Sequence, residues 1–355
     1  MSAVWHALQD RVGPRPEPSS VNVHLAAAAD WLARAQDATP DDGVAAWYDI
    51  KTHTWQASYP ETTGYIIPTL YDYAAFSGRL EFAERARRMA EWETAIQLPG
   101  GGVRAGTVDS ETVAPTIFNT GQVLFGWLRA WQETGNDKFR TAANRAADWL
   151  VEAQDPDGAW RRYASPFAKF QLNAYNTRVA WALAQAGRAL EDVRYSNAAR
   201  ANVEWALTRA QKNGWLEDNC LSDNDHPLTH TIAYSLRGIV ETGALLDETR
   251  FVDFAARIAR ALAAAQRDDG ALPGRLNADW RPAARWTCLT GNAQIAINWL
   301  RLAGFTGDDT LRAHARRANQ FNMRTQRLDK TSPGLRGAIK GSFPVDGGYM
   351  AYRCP

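Results

Sequence analysis

Residues 149–160 read Trp149-Leu150-Val151-Glu152-Ala153-Gln154-Asp155-Pro156-Asp157-Gly158-Ala159-Trp160, the end of an amphipathic helix followed at once by a turn. Pro156 and Gly158 stop the helix, and an Asp-Gly pair favours a tight bend. The same pattern of an apolar helix end, a glutamine and a glycine-containing turn recurs at Gln36, Gln97, Gln154, Gln211, Gln266 and Gln326. The intervals lie between 55 and 61 residues, a period of about 58. A helix-end and turn motif that recurs at a fixed period indicates a repeat architecture.

Each repeat contains two stretches whose apolar residues recur at three and four positions, which predicts a pair of helices. One set is rich in Arg and Glu on one face and is predicted to form an outer ring, at residues 22–36, 79–97, 137–154, 193–211, 249–266 and 308–326. The other set has fewer charges and more small residues and is predicted to form an inner ring, at residues 60–76, 116–134, 171–190, 229–247 and 290–304.

Helix pairs that bury their apolar faces only on neighbouring pairs predict an all-α (α/α)6 toroid over residues 22–355. Residues 1–21 are predicted to form an N-terminal extension, with a short helix at residues 4–12 and a proline-rich connector at residues 14–18. The sequence ends shortly after Asp346-Gly347-Gly348, where a sixth inner helix is expected to begin. Two alternatives stay open: the N-terminal helix fills that place, or the chain is truncated.

Composition narrows the class of partner. A formal net charge of +1 gives no electrostatic reason to expect nucleic acid or an anionic membrane. No apolar run is long enough for a signal peptide or a membrane span, and three cysteines far apart suit a reducing setting, so a cytoplasmic location is expected. Asp218-Asn219-Cys220 has the Asp-x-Cys spacing of a protein prenyltransferase zinc site, but no downstream loop histidine completes it. No metal and no cofactor are expected.

The phrase from Gln154 to Trp160 resembles the repeat of prenyltransferases and squalene–hopene cyclases, and this resemblance implies the toroid fold. A wider resemblance, to the VpsJ-like exopolysaccharide-biosynthesis proteins, rests on four strings: Pro60-Glu61-Thr62-Thr63-Gly64-Tyr65, Asn119-Thr120-Gly121-Gln122-Val123-Leu124, Leu228-Thr229-His230-Thr231-Ile232-Ala233-Tyr234 and Leu289-Thr290-Gly291-Asn292-Ala293-Gln294. It implies a polysaccharide context and association with other proteins of polysaccharide biosynthesis. The same toroid serves many glycoside hydrolases, polysaccharide lyases and uronyl epimerases.

The inner-helix starts and the loops before them are expected to converge on one mouth, where catalytic groups would gather. Glu61 lies in the first turn of a predicted inner helix, behind an aromatic loop. Glycoside hydrolysis needs two carboxylates, and Glu61 is predicted to be one of them. Asp109, Asp346 and Asp49 are candidates for the second, and no spacing selects among them. Attraction of Glu61 to the helix dipole and a turn role for Asp346 are the structural alternatives.

Aromatic and polar residues near the same mouth are predicted to bind the sugar. They are Trp47, Tyr48, Trp55, Tyr59, Asn119, Trp160, Tyr175, Asn176, Arg178, Tyr234, Asn292 and Gln294. Sugar rings stack on aromatic faces, and amide side chains match hydroxyl groups. The alternatives are that the aromatic side chains cover the core and that the Asn and Thr side chains cap helix N-termini.

His230 supports a second chemistry. Lyases and uronyl epimerases remove the C5 proton of a uronic acid with a neutral base and neutralise the carboxylate with Arg or Asn. His230 with Tyr234, Arg178 and Asn119 supplies those residue types. The first hypothesis is a glycoside hydrolase acting on an oligo- or polysaccharide. The second is a lyase or epimerase that uses His230 and Tyr234, and the third is a non-catalytic glycan-binding assembly protein.

Overall fold

The structure, a computed structural model, describes residues 3–15, 17–329 and 332–355. Pro16 of the predicted connector lies outside the described residues. The described chain begins with α1 (Ala3–Val12). The charged helices of the outer ring are α2 (Val21–Asp37), α4 (Glu81–Ile96), α6 (Asp137–Ala153), α8 (Val193–Thr208), α10 (Thr249–Ala265) and α12 (Asp309–Thr325). The helices of the inner ring are α3 (Pro60–Ser77), α5 (Ile117–Thr134), α7 (Thr177–Ala189), α9 (Thr229–Leu245) and α11 (Leu289–Thr306).

Inner and outer helices alternate along the chain, as the predicted (α/α)6 toroid requires. Each inner helix packs on the next, in the order α3, α5, α7, α9 and α11, and also on its own outer partner. Small residues allow the close approach: a Cβ at Gly238 of α9 would lie 2.1 Å from the backbone carbon of Thr177 in α7. The predicted fold is confirmed.

The recurring glutamine bonds neighbouring outer helices together. Gln154 donates from Nε2 to the backbone oxygens of Gly158 in its own turn, at 3.0 Å, and of Ala198 in α8, at 2.9 Å. Equivalent pairs of bonds are made by Gln36, Gln97, Gln266 and Gln326. Gln211 makes no such side-chain bond among the described residues. Gln326 donates to the backbone oxygen of His24 in α2, so the last outer helix is bonded to the first.

The turn glycine fits against the next outer helix. Gly158 has φ +89, and a Cβ there would lie 2.3 Å from the backbone oxygen of Ala201 in α8. Gly101 and Gly270 approach Arg145 and Arg317 in the same way, at 2.3 and 2.2 Å. Glycine is required at this position both for its positive φ and for the close approach. These contacts explain why Gln and Gly recur together in the sequence.

Polar side chains in the first turns of the inner helices have a structural role that differs from helix capping. Thr63 accepts from the backbone N–H of Val44 at 3.0 Å, and Thr120 accepts from that of Val103 at 2.9 Å. Neither α3 nor α5 has a side-chain hydrogen bond at its N-cap residue. These hydroxyls bind the segment that follows each turn to the inner helix.

One helix boundary differs from the prediction. The inner helix predicted at residues 171–190 begins only at Thr177, after a single 3-10 turn at Ala174–Asn176. The backbone N–H of Ala174 donates to Asp218 at 2.7 Å, and that of Lys169 donates to Leu221 at 2.8 Å. The backbone before α7 therefore bonds to the next loop, which leaves it unable to form helical bonds.

The segment after α12 crosses the loop side of the ring as two short strand pairings. The strands are β1 (Tyr48–Asp49), β2 (Thr54–Trp55), β3 (Val103–Arg104), β4 (Pro115–Thr116), β5 (Thr287–Cys288), β6 (Ser342–Phe343) and β7 (Arg353–Cys354). β6 pairs antiparallel with β5, directly before α11, and β7 pairs antiparallel with β1, before α3. The connection between them, residues 344–352, is called the C-terminal strap below.

Helix α1 holds this strap. The Asp10 carboxylate pairs with Lys340 and accepts from the backbone N–H of Val345 at 2.8 Å, and Arg11 pairs with Asp346 at 2.7 Å. The polar contacts of α1 do not reach α3 or α11, the two helices that flank the sixth inner place. The inner ring therefore has five helices among the described residues.

Candidate functional site

A carboxylate and a phenol lie at the inner-helix starts, inside the ring. Tyr59 precedes α3 and donates from its hydroxyl to Oε2 of Glu61 at 2.5 Å. Burial raises the pKa of the Glu61 carboxyl, and the Tyr59 hydroxyl and the charge of Arg178 oppose the rise without cancelling it. Glu61 therefore keeps its proton to a higher pH than an exposed glutamate does.

Arg178 projects from the first turn of α7 into a box of aromatic rings. Its guanidinium carbon lies 4.8 Å from the ring centre of Tyr234, and 5.7, 5.9 and 5.5 Å from those of Tyr65, Phe125 and Trp181. Its Nε donates to Oε1 of Gln122 at 2.6 Å. No carboxylate among the described residues is within ion-pair distance, and burial lowers the pKa of this guanidinium. A half-buried cation without a counter-ion, lining a cavity, is suited to an anionic ligand.

His230 is a neutral imidazole in this environment. Burial and then the nearby charge of Arg178 lower its pKa to about 3. Its ring contacts those of Tyr234 and Tyr349, with ring centres 4.4 and 5.1 Å away. The Nδ1 atom of His230 is buried and has no hydrogen-bond partner among the described residues. An imidazole with a free buried nitrogen can accept a proton or a hydrogen bond from a ligand.

Tyrosine hydroxyls complete the cluster. Tyr65 of α3 lies close to Tyr234 of α9, and burial raises the pKa of both phenols. Burial also raises the pKa of Tyr349, which the C-terminal strap places close enough to Glu61 and Tyr65 to interact with their charges. At neutral pH these phenols keep their protons and act as donors. We call Tyr59, Glu61, Tyr65, Arg178, His230, Tyr234 and Tyr349 the central cluster.

Several residues predicted from the sequence meet in or beside the central cluster. Asn119 donates from Nδ2 to Arg104 in the preceding loop at 2.9 Å and also bonds the Tyr59 side chain. Tyr175 is close enough to Glu61 to feel its charge and contacts Phe118, whose ring also meets Tyr234. Tyr59, Glu61, Asn119, Tyr175, Arg178, His230 and Tyr234 therefore lie together, although they come from separate parts of the sequence.

Other aromatic residues predicted to bind sugar lie in the framework. Tyr48 and Trp55 have ring centres 5.0 Å apart, and Trp55 packs on Trp31 of α2 at 5.1 Å. Trp160 is 2% exposed and donates to the backbone of Leu150 at 2.9 Å. Trp47 lies under the guanidinium of Arg353. An aromatic residue in a loop reaches either the core or the lumen, and these four do not reach the central cluster.

The Asn and Gln residues predicted to bind the sugar also fall into two groups, those in the framework and one that lines a cavity. Asn292 is fully buried and bonds to Leu272, Ala318 and Asn322, so every polar atom of its side chain serves the framework. Asn176 is buried at the end of the 3-10 turn before α7. Gln294 lies further along α11 and lines a cavity on the other side of Arg178, where its Oε1 is buried without a partner.

Each of the three candidates for a second carboxylate is bonded to another part of the protein. Asp109 is exposed and accepts from Thr107 at 2.5 Å, and Asp346 pairs with Arg11 of α1. Asp49 accepts from the backbone N–H groups of Lys51 and Thr52 at 2.8 and 3.1 Å. None is in hydrogen-bond contact with Glu61 or its partners. No hydrogen bond among the described residues therefore links Glu61 to a second carboxylate, and the charge of Arg178 acts on it.

Tyr65, Gln122 and Tyr349 belong to the site but were not singled out in the sequence. Tyr65 and Gln122 occur inside the quoted strings and have the spacing of core residues on inner helices. Tyr349 is far from the others in sequence and arrives through the β6–β7 connection. The described residues contain no group of His, Cys, Asp and Glu able to hold a metal ion.

A large cavity adjoins the central cluster. It has a volume of about 750 Å³ and is lined by residues of all five inner helices, α3, α5, α7, α9 and α11. Tyr65 and Arg178 line it at its inner end, and Thr69, Asp72, Gln132 and Arg188 line it where it is exposed to solvent. The lumen thus extends from the central cluster toward the face opposite the long loops. No helix of the described residues is both long and apolar enough to cross a membrane.

Comparison with known proteins gives one family match and many structural ones. The family model of pectic acid lyases matches residues 89–200. A search of curated protein sequences gives no match. The family match covers α5, α6 and α7 with Arg178, but it leaves Glu61 and His230 outside.

Solved structures with the same fold include carbohydrate hydrolases and epimerases. Cellobiose 2-epimerase from Bacillus thermoamylovorans has a TM-score of 0.76 at 11% identity, over 99% of this chain and 94% of that one. An unsaturated glucuronyl hydrolase specific for heparin has a TM-score of 0.70 at 17% identity, over 95% and 89%. The unsaturated glucuronyl hydrolase from Bacillus sp. GL1 has a TM-score of 0.69 at 14% identity, over 90% and 88%. The chain has the toroid fold of these carbohydrate-active enzymes.

Proposed function

We propose that the protein is a carbohydrate-active enzyme that removes the C5 proton of a uronic acid residue in a polysaccharide, with β-elimination as the reaction. The observation that carries the proposal is the half-buried Arg178, which has no carboxylate partner among the described residues and lies beside the phenol of Tyr234, whose ring contacts that of neutral His230. The match of residues 89–200 to pectic acid lyases supports an acidic sugar. The relatives named above support a saccharide as the substrate class.

The uronate carboxylate binds the free guanidinium nitrogens of Arg178, and this contact strengthens as negative charge moves onto the carboxylate oxygens. The bound carboxylate also offsets the positive charge that lowers the His230 pKa, so the imidazole becomes a stronger base in the complex. His230 accepts the C5 proton, and the C–H electron pair forms the C4=C5 double bond. The C4–O4 bond breaks, and the leaving oxygen takes the proton of the Tyr234 hydroxyl. In an epimerase, C5 instead regains a proton on its opposite face and O4 stays bound.

Hydrolysis of a glycosidic bond is the second candidate function. The short Tyr59–Glu61 bond and the raised Glu61 pKa suit a general acid. Hydrolysis needs a second carboxylate about 5–10 Å from the first, and it is disfavoured because Asp49, Asp109 and Asp346 are each bonded to another part of the protein. A non-catalytic glycan-binding role in polysaccharide assembly is the third candidate. An exopolysaccharide setting, a VpsJ-like identity and a cytoplasmic location belong to this proposal and rest on the sequence resemblance and composition alone.

The experiment incubates the protein with polygalacturonate, alginate and glucuronan, in ordinary and in deuterated water. Elimination produces an unsaturated uronate that absorbs in the ultraviolet, epimerisation incorporates deuterium at C5 without new chain ends, and hydrolysis produces reducing ends without new absorbance. We expect ultraviolet absorbance with at least one polymer. His230→Gln and Arg178→Gln should remove it, whereas Asp109→Asn should not.

Glu61→Gln separates the two enzymatic candidates. Under the elimination proposal this variant still forms unsaturated product, because the base and the carboxylate-binding cation are unchanged. If the wild-type protein produces reducing ends without ultraviolet absorbance, and Glu61→Gln does not, the reaction is hydrolysis and the elimination proposal is wrong. Binding of a polymer without any product would leave only the non-catalytic role.

A further inference from the structure

The 750 Å³ cavity on the far side of Arg178 carries an excess of positive charge. Four arginines line it, namely Arg129, Arg178, Arg188 and Arg237, against one lining carboxylate, Asp72. Asp72 is already paired with Arg129 at 2.8 Å. Two further acids neutralise part of the charge: Glu133 also pairs with Arg129 at 2.7 Å, and Glu241 is shared between Arg237 and Arg301, each with a contact of 2.7 Å. Arg178 and Arg188 have no carboxylate partner among the described residues. The cavity is therefore electropositive overall.

Two of these arginines have unused donors. Arg188 is exposed on the last turn of α7 and has no ion pair or hydrogen bond among the described residues. Arg178 uses only its Nε in a side-chain bond, to Gln122. A guanidinium offers five N–H donors in a fixed fork that matches carboxylate geometry. The open end of the cavity and its inner end thus each present an arginine to a ligand.

The neutral lining suits sugar hydroxyls. Four amide side chains line the cavity: Gln132, Gln185, Gln294 and Asn298. The Oε1 of Gln294 and the Oδ1 of Asn298 are buried without a hydrogen-bond partner, which costs free energy unless a ligand or water supplies a donor. Trp181 and Phe125 form an aromatic wall, with ring centres 4.4 Å apart. Amides, an aromatic wall and a cation together match the groups of an acidic sugar.

We propose that this cavity is a carbohydrate-binding site for an acidic oligosaccharide, entered from the face opposite the long loops. Its volume lies within the range of about 300–1,000 Å³ typical of ligand sites. Carboxylate groups of the ligand bind Arg188 at the entrance and Arg237 and Arg178 further in, and hydroxyl groups bind the amides. The site shares Arg178 and Tyr65 with the central cluster and rests on the acidic-sugar specificity proposed above, but it requires binding and no chemical step.

If Arg188 has only a structural role, its substitution should have a different effect from the loss of a ligand contact. A cation in the last turn of a helix interacts favourably with the helix dipole, so a purely structural Arg188 would affect stability and leave binding unchanged. Arg178, in contrast, lies in the first turn of α7, where the dipole disfavours a cation. The helix dipole therefore does not stabilise Arg178, whose guanidinium is held by Gln122 and the surrounding aromatic rings.

The test is calorimetric titration with tetragalacturonate, using the His230→Gln protein so that no turnover occurs. Cellotetraose serves as the neutral ligand and inorganic phosphate as the simple anion. We expect tetragalacturonate to bind and Arg188→Gln to weaken it about tenfold, with a larger loss in the double variant Arg188→Gln/Arg237→Gln. Arg316→Gln, an equal charge change at an exposed residue of α12, is the matched control and should bind as the parent does.

Cellotetraose binding as tightly as tetragalacturonate would show that the carboxylate groups are not recognised. Phosphate binding as tightly would show that the sugar is not recognised. Either result would overturn the inference. Unchanged affinity in both cavity variants, with melting temperature unaltered, would overturn it as well. Because these readouts are affinities, failure of the elimination reaction leaves them intact, and the two proposals can fail separately.

Discussion

Arg178 donates from Nε to Oε1 of Gln122 at 2.6 Å, so an amide and not a carboxylate orients this half-buried cation. The amide fixes the guanidinium plane but leaves its positive charge uncompensated. The two terminal nitrogens stay available to a ligand carboxylate. Gln122 is therefore a positioning residue, and its neutrality matters as much as its hydrogen bond.

Gln122→Glu should impair the protein without unfolding it. The new carboxylate would pair with Arg178 and compete with the substrate carboxylate. We expect kcat/KM on a uronic-acid polymer to fall by about 100-fold, the size of effect seen when one donor to a developing charge is lost. The affinity for an acidic oligosaccharide should fall as well. A variant with normal affinity and rate would show that Arg178 does not bind the ligand carboxylate.

The kcat/KM of the wild-type protein should not fall near pH 6.5, where an ordinary histidine becomes protonated. The pKa of His230 is about 3, so the neutral, proton-accepting form persists at every pH above that value. Because kcat/KM reports the free enzyme, loss of activity from His230 protonation should appear only near pH 3.

Arg178 is one cause of that low pKa, so Arg178→Gln should move His230 protonation toward the ordinary value of 6.5. Histidine chemical shifts measured by NMR over a pH range report this change whether or not the variant is active. A His230 that titrates near 6.5 in the wild-type protein would contradict the buried environment described above.

The C-terminal strap should depend on α1. Asp10 and Lys340 form a largely buried pair, with side chains 11% and 12% exposed, and Asp10 also accepts from Val345 of the strap. Asp10→Asn leaves Lys340 without its counter-charge, at a cost of roughly 3–5 kcal/mol when one partner of a buried pair is removed. We expect faster amide hydrogen exchange in the strap and lower activity, because Tyr349 loses its fixed contact with His230. Arg11→Gln, which breaks the more exposed pair with Asp346, is the control and should change exchange far less.

The recurring glutamine should account for measurable stability. Gln154→Ala removes two hydrogen bonds to backbone oxygens, worth about 1 kcal/mol each, and leaves those acceptors unsatisfied. We expect a loss of about 2–3 kcal/mol in the free energy of unfolding, measured by denaturant titration. Gln211→Ala is a matched control at the equivalent place in the next repeat, where the exposed side chain makes no such bond, and should change stability by less than about 0.5 kcal/mol. Equal losses in both variants would show that the bonds between helices are not the cause.

The fold could be predicted because its determinants are local. A glutamine at a helix end and a glycine shortly after it mark each outer helix, and the structure shows both bonded to or packed on the next outer helix. The sequence predicts the start of α7 too early because the backbone at Ala174 bonds to a distant loop, a contact that no local pattern reports.

The candidate site was predictable only in part. His230, Arg178 and Glu61 stood out as charged or titratable groups near helix starts, where ring closure brings them together. Tyr349 depends on the pairing of β6 with β5 and of β7 with β1, which the sequence does not reveal. Tyr48 and Trp160 illustrate the opposite case: an aromatic residue in a loop has no local signal that tells the core from the lumen.

The hydrogen bond from Gln326 to His24 joins α12 to α2, so the outer ring has no terminal helix. Linear arrays of helix pairs fray from their ends, where a unit has one neighbour in place of two. Here the first and last outer helices serve as neighbours to each other, so no outer helix is an end of the ring. Loss of one unit therefore removes two interfaces at once, and the molecule is expected to melt in a single cooperative transition.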